Sequence, residues 1–183
     1  MNRRAVLGGM AGVAAVGMSP ARAFAQDAAT TPPQPGDYLV RATGDDLTPL
    51  TPADIEIGAR AIQVWPAATD GDVVRDGTLF NLLMVSRWDP ATLGADAQGY
   101  AADGVVAQSV ICTHSACEVT DWAEDLQVLE CPCHLSRFDP RFNGAVVQGP
   151  ATRRLPALAL GMDGERIVVT QPFDSRVGGD VTE

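Results

Sequence analysis

Cys112-Thr-His114-Ser-Ala-Cys117 and Cys131-Pro-Cys133-His134-Leu-Ser136-Arg-Phe138 decide how this chain reads. The sequence has four cysteines and two histidines, and all of them stand in these two stretches. Each stretch holds one close Cys/His pair and one further cysteine. Together they can supply two thiolates and two imidazoles to a metal centre. The cysteine left over in each half can bond to its counterpart. Two metals compete on this chemistry. A closed tetrahedral zinc site accepts mixed Cys and His ligands, commonly with a short Cys-x-x-Cys and a longer His spacing. A binuclear iron–sulfur centre can instead take histidines on one iron and cysteines on the other. The C-x-H and C-x-x-H spacing here is unlike that of a zinc finger.

With Pro132 and Ser136 in register, the pattern C-T-H-x-x-C…C-P-C-H-x-S-x-F resembles the two cluster-binding loops of the Rieske iron–sulfur proteins. The resemblance implies that Cys112 and Cys131 hold one iron of a [2Fe–2S] cluster, and that His114 and His134 hold the other. It implies a disulfide between Cys117 and Cys133 that ties the loops together. It also implies an all-β fold, a Rieske-type antiparallel β-sandwich with a smaller cluster-binding lobe over about residues 108–151. The likeness covers residues 60–170 and is most specific between 112 and 151.

Replacing two thiolates by two imidazoles lowers the negative charge of such a cluster and makes it easier to reduce. In the family, a serine at the position of Ser136 donates a hydrogen bond to a bridging sulfide and stabilises the reduced form. Phe138 stands where high-potential members carry tyrosine, and phenylalanine has no hydroxyl to donate. The resemblance therefore implies a potential below that of quinol-oxidising members. Those members commonly have Leu-Gly where this chain has Ser115-Ala116, and Gly where it has Leu135.

Composition sets the surroundings. The formal net charge is −10, every one of the 13 basic residues is arginine, and residues 1–25 contain three of these and no acid. An acidic surface repels phosphate backbones, which argues against a nucleic-acid partner. It suits an electropositive protein partner, and it also simply favours solubility. Residues 1–25 read as an export signal outside the fold: Arg3-Arg4, an apolar small-residue run from Ala5 to Met18, Pro20, then Ala23-Phe-Ala25 for cleavage before Gln26. The arginine pair suggests the twin-arginine route, which carries folded cofactor proteins to the periplasm. An uncleaved anchor competes, although a run of about 14 residues is short of the 17–25 that span a bilayer as a helix. Export would place a Cys117–Cys133 bridge in an oxidising compartment.

Residues 26–50 read as a flexible or extended lead-in, with a short strand at Tyr38-Leu-Val40, and 51–172 as the domain. Thr51-Pro-Ala-Asp54 reads as a turn or one helical turn. Ala61 to Trp65 alternates as a strand that Pro66 ends. Leu79 to Ser86 is an apolar run that reads as a strand buried on much of both faces, with a helix as the alternative by periodicity. Residues 89–103 read as a long loop with room for a helical turn. Val105 to Ile111 and Leu126 to Leu129 read as strands delivering Cys112 and Cys131, which sets each loop on a rigid support. Phe138 to Gly144 is turn-rich, and Gly149-Pro150 resembles a family loop that packs on the cluster loops. Leu155–Leu160 and Arg166–Thr170 read as closing strands, and 173–183 as a mobile tail. Trp65, Trp88 and Trp122 read as core or edge residues.

The function these features imply is one-electron transfer, with no substrate chemistry of the chain's own. Within the family the chain is most similar by pattern to the small subunit of arsenite oxidase-type periplasmic oxidoreductases. Its partners would then be a larger, molybdenum-containing catalytic subunit and a cytochrome-type electron acceptor. The alternative is the Rieske subunit of a membrane quinol:cytochrome c reductase. That requires the N-terminal stretch to stay as an anchor, with Ala28 to Pro35 as hinge. A third class is an interaction module that keeps a cluster for folding alone.

Overall fold

The computed structural model describes residues 28–69 and 73–179. The export-signal reading of residues 1–25 lies outside them. No helix among the described residues is long and apolar enough to cross a membrane.

Strands β1 (Tyr38–Arg41), β2 (Ile62–Ala67), β3 (Leu83–Arg87), β4 (Val105–Ser109), β9 (Ala157–Leu158), β10 (Leu160–Asp163) and β11 (Arg166–Val169) form one antiparallel sheet in the order β10-β11-β1-β2-β3-β4-β9. Its two edge strands, β9 and β10, are separated in sequence by Ala159 alone, so the edges must lie within a few ångströms of each other. The sheet therefore curls into a nearly closed barrel. The remaining strands, β5 (Asp121–Ala123), β6 (Val128–Glu130), β7 (Arg137–Asp139) and β8 (Ala145–Gln148), make a second, four-stranded sheet in chain order. This smaller lobe carries the cysteines and histidines.

Side-chain alternation explains how one sheet serves two cores. Leu83, Val85, Val105 and Ala107 point into the barrel with Leu39, Val64 and Ile167. Met84 and Val106, between them, point to the other face and pack with Trp122, Leu129 and Phe138 of the lobe. The run read as a strand buried on both faces, β3, is sandwiched between the two clusters together with β4. Trp88 and Trp122 stack across this second core at 6.3 Å between centroids.

Four expectations change. Pro66 does not end β2. The bond from Ala42 N to Gln63 O puts residues 63, 65 and 67 in the bonding phase toward β1, so the main-chain groups of Pro66 face the other way. There its carbonyl accepts from Arg75 N, past the start of β3. The apolar run from Leu79 begins as a 3₁₀ turn, Leu79–Asn81, because Thr78 caps it by accepting from Phe80 N. The loop at 89–103 does hold helical turns, a 3₁₀ turn at Pro90–Thr92 and a short helix α1, Ala95–Gln98.

The ends of the domain move outward as well. β1, placed in the lead-in, lies between β11 and β2 inside the main sheet. Upstream of it, Asp37 and Arg75 form a buried two-pronged ion pair at 2.5 and 2.9 Å. The buried Asn81 amide bonds the carbonyls of Ala29, Thr31 and Arg75. At the other end, residues 173–179 are tied down. Asp174 N donates to Ala157 O, and its carboxylate accepts from Ala157 N and from Arg154 at 2.6 Å.

Candidate metal centre

The two loops are copies of one backbone device. In the first, Cys112 N donates to Cys117 O at 2.8 Å, and Ala116 N donates back to Cys112 O at 3.0 Å. In the second, Cys131 N donates to Ser136 O at 2.9 Å, and Leu135 N donates back to Cys131 O at 3.0 Å. Closing each turn needs one left-handed residue, and these are Ala116 (φ 58°) and Leu135 (φ 56°). Glycine would take that conformation freely. A residue with a Cβ pays about 1 kcal/mol for it. The first loop grows from the end of β4 and is shut by the Ile111–Glu118 bridge, and the second joins β6 to β7.

The device brings all six residues to one tip. Cys117 and Cys133 form a disulfide. Cys112 and Cys131 are free thiols, each 1% exposed. The imidazoles of His114 and His134 lie edge to face with centroids 4.7 Å apart. His134 is exposed and His114 half-buried. Both Nδ1 atoms reach the Ser115 hydroxyl oxygen, at 3.1 and 3.5 Å. Burial pushes the Cys112 thiol up, and the neighbouring Cys131 adds to that. The main-chain N–H groups of His114 and Ser115, which point at its sulfur, act against both.

The sulfurs of Cys117, Cys131 and Cys133 lie within 4.8 Å of one another. Metal ligation needs a thiolate, which the two disulfide sulfurs do not have, so Cys131 alone among these three can offer one. What is left is a donor set of two adjacent buried thiols beside two imidazoles, which fits a centre with sulfur on one side and nitrogen on the other. The same set would be wasteful without a metal. Two buried unpaired thiols beside a formed disulfide invite exchange with it.

Ser136 and Phe138 close the site from below. Ser136 is fully buried, and its oxygen accepts from Ala151 N at 3.1 Å, which leaves its proton to donate. Phe138 is fully buried in the same cluster as Cys112 and Cys131. A third loop, residues 149–153, packs against both copies, and sequence reasoning noted only its Gly-Pro start. Gly149 (φ 91°) lies so close that a Cβ would sit 2.5 Å from Ser136 Cα. Thr113, between Cys112 and His114, donates its hydroxyl to Arg153 O at 2.5 Å. The signal in sequence was the glycine; Thr113 and Arg153 gave none.

Comparison with known proteins agrees with this geometry. The family model described as "Rieske [2Fe-2S] domain" matches residues 38–159. The chain is 37% identical over 97 residues to a putative respiratory nitrate reductase Rieske subunit from Haloferax mediterranei, covering 52% of this chain and 43% of that one. It is 29% identical over 132 residues to the cytochrome bc1 complex Rieske iron-sulfur subunit of Streptomyces lividans, covering 71% of this chain and 76% of the relative. Among solved structures, the plasma membrane Rieske protein of the cyanobacterium Synechocystis matches with a TM-score of 0.38 and 24% identity, covering 60% of this chain and 86% of that one. From its barrel, its paired loops and a family match that runs from β1 to the end of β9, this chain belongs to the Rieske [2Fe-2S] domain family.

Proposed function

We propose that the chain is the electron-carrying Rieske subunit of a membrane quinol:cytochrome c reductase-type complex, working on the exported side of the membrane. Cys112 and Cys131 ligate one iron, and His114 and His134 the other. The observation that carries this reading is the tip itself, where two buried free thiols stand beside two imidazoles and a disulfide ties both loops. Bound there, a [2Fe–2S] cluster supplies a one-electron carrier.

The chain's own residues then do three things. The disulfide and the paired turns fix the four donors. Phe138 and the lobe core keep water from the two thiols. His134 and Leu135, the latter 54% exposed, offer a partly apolar contact to a partner protein. The disulfide supports an oxidising compartment. The likeness to the Streptomyces bc1 subunit over most of this chain supports the quinol-linked complex.

A second reading is supported by different observations. Phe138 lacks the tyrosine hydroxyl, Ser115-Ala116 replaces Leu-Gly at the tip, and the haloarchaeal relative carries a nitrate reductase name. These favour a periplasmic small subunit beside a molybdenum-type catalytic subunit, as in arsenite oxidase-type enzymes. Purifying the native complex from membrane and periplasmic fractions separates the two. Co-purification with a cytochrome b supports the first, and a molybdenum-bearing large subunit replaces it with the second. A protein that takes up one zinc and gives no [2Fe–2S] EPR signal after reduction refutes both.

A further inference from the structure

We propose that Arg153 is a positioning residue for the first cysteine–histidine loop, and that it acts through the C-terminal segment 176–179. The proposal rests on the ligand assignment above. Arg153 holds that loop from two directions. Its carbonyl accepts from Thr113, the residue between Cys112 and His114, at 2.5 Å. Its guanidinium donates to Arg176 O at 2.9 Å and to Gly178 O at 2.8 Å. Arg176 in turn donates to Gly179 O at 2.7 Å, which bends the segment back.

Gly179 then closes the bracket from the other side. A Cβ placed on it would lie 2.9 Å from Ala116 N and 3.2 Å from Ser115 Cα and C. Backbone therefore rests directly on the Ser115–Ala116 turn, with no space for a side chain. The ring runs from Thr113 through Arg153 and Gly178–Gly179 back to Ser115–Ala116, and it encloses His114 together with the N–H groups that point at the Cys112 sulfur. Among the described residues, the second loop has no such bracket from the C-terminal segment. Its outer support is Gly149, built against Leu135 and Ser136. This asymmetry matches the half-buried His114 and the exposed His134.

Arginine suits the task because a fork of donors can bond two carbonyls at once, which the single ammonium of lysine does less well. Without the bracket, the first loop relaxes and its N–H groups point less well at the thiolate sulfur. Those bonds favour the more negative, reduced state, so the potential should fall and the metal should be lost sooner.

The test compares full-length wild type, Arg153→Ala, Arg153→Lys and Gly179→Val. Far-UV circular dichroism and iron content establish folding and loading. Redox titration and the rate of bleaching by an iron chelator then read the site. In Arg153→Ala and Gly179→Val, bleaching should be about fivefold faster, as expected for loss of one net hydrogen bond, and the potential should move negative. Arg153→Lys should fall between. Removing a positive charge lowers a potential by itself, so the uncharged Gly179→Val change is the deciding variant, and it stands alone should Arg153→Ala not fold. Amide exchange of residues 113–117 in the metal-free protein should rise in both. Unchanged bleaching, potential and exchange in Gly179→Val overturn the bracket while the ligand assignment stands. A wild type with no [2Fe–2S] signal overturns the assignment, and the amide exchange then decides the bracket separately.

Discussion

Ser136 shows how one side chain can serve fold and site together. Its oxygen satisfies the buried Ala151 N–H, which holds the third loop, and its proton remains for a sulfur acceptor. Ser136→Ala should therefore have two separable effects. Leaving the Ala151 donor unsatisfied should cost about 1–3 kcal/mol in chemical denaturation of the metal-free protein. Losing the donor should also lower the midpoint potential of the loaded protein by about 40–60 mV, the equivalent of one hydrogen bond for a one-electron couple. Phe138 gives the converse case. It is fully buried in the same core cluster as both free thiols, so a tyrosine hydroxyl there would be out of water and pressed to find an acceptor. Phe138→Tyr should raise the potential by a similar amount, and a protein that gains no potential but loses stability would place the hydroxyl away from sulfur.

At the scale of the element, short turns set where the strands can start. Asp54 accepts at Oδ2 from Thr51 N at 2.8 Å and from Thr51 Oγ1 at 2.7 Å, which fixes the 3₁₀ turn Pro52–Asp54 and holds the Asp54 carboxyl below its ordinary range. A depressed carboxylate contributes stability that is present above its unfolded value and fades as pH falls through the folded one. Asp54→Asn should lower stability modestly at pH 7, and the gap to wild type should close below about pH 4. A gap independent of pH would assign the effect to packing. This turn was legible because Thr-Pro-x-Asp is a local signal. So were β3 and β4, whose apolar runs reflect burial on two faces. The opening of the run at Leu79 misled because a hydroxyl cap overrides strand propensity without changing hydropathy. Pro66 misled because the direction of a missing N–H depends on ladder phase, which needs the partner strand. The cysteine and histidine spacing was legible for a different reason: metal donors must stand a fixed few residues apart in one loop. The supports of that tip were not legible, since Thr113, Arg153 and Gly179 meet through contacts far apart in sequence.

Taken whole, the molecule has two cores with a shared wall. The barrel core is closed by its own strands, while the lobe core leans on the outer face of β3 and β4 through Met84 and Val106. Three short strands of the lobe, β5, β6 and β7, have only three residues each, too few to hold a sheet alone in water. The Cys117–Cys133 bridge, with a sequence separation of 16, should supply about 3 kcal/mol by restricting the unfolded chain. That contribution falls on the weaker of the two units. Changing both cysteines to serine should therefore split a single unfolding transition into two in the metal-free protein. The Trp88–Trp122 stack lies in the lobe core and reports on it in near-UV circular dichroism. Its signal should disappear at a lower urea concentration than the far-UV strand signal of the barrel. Wild type should lose both together, because the bridge raises the lobe toward the stability of its wall. Coincident transitions in the serine variant would mean that β3 and β4 couple the cores so tightly that the lobe cannot open without the barrel.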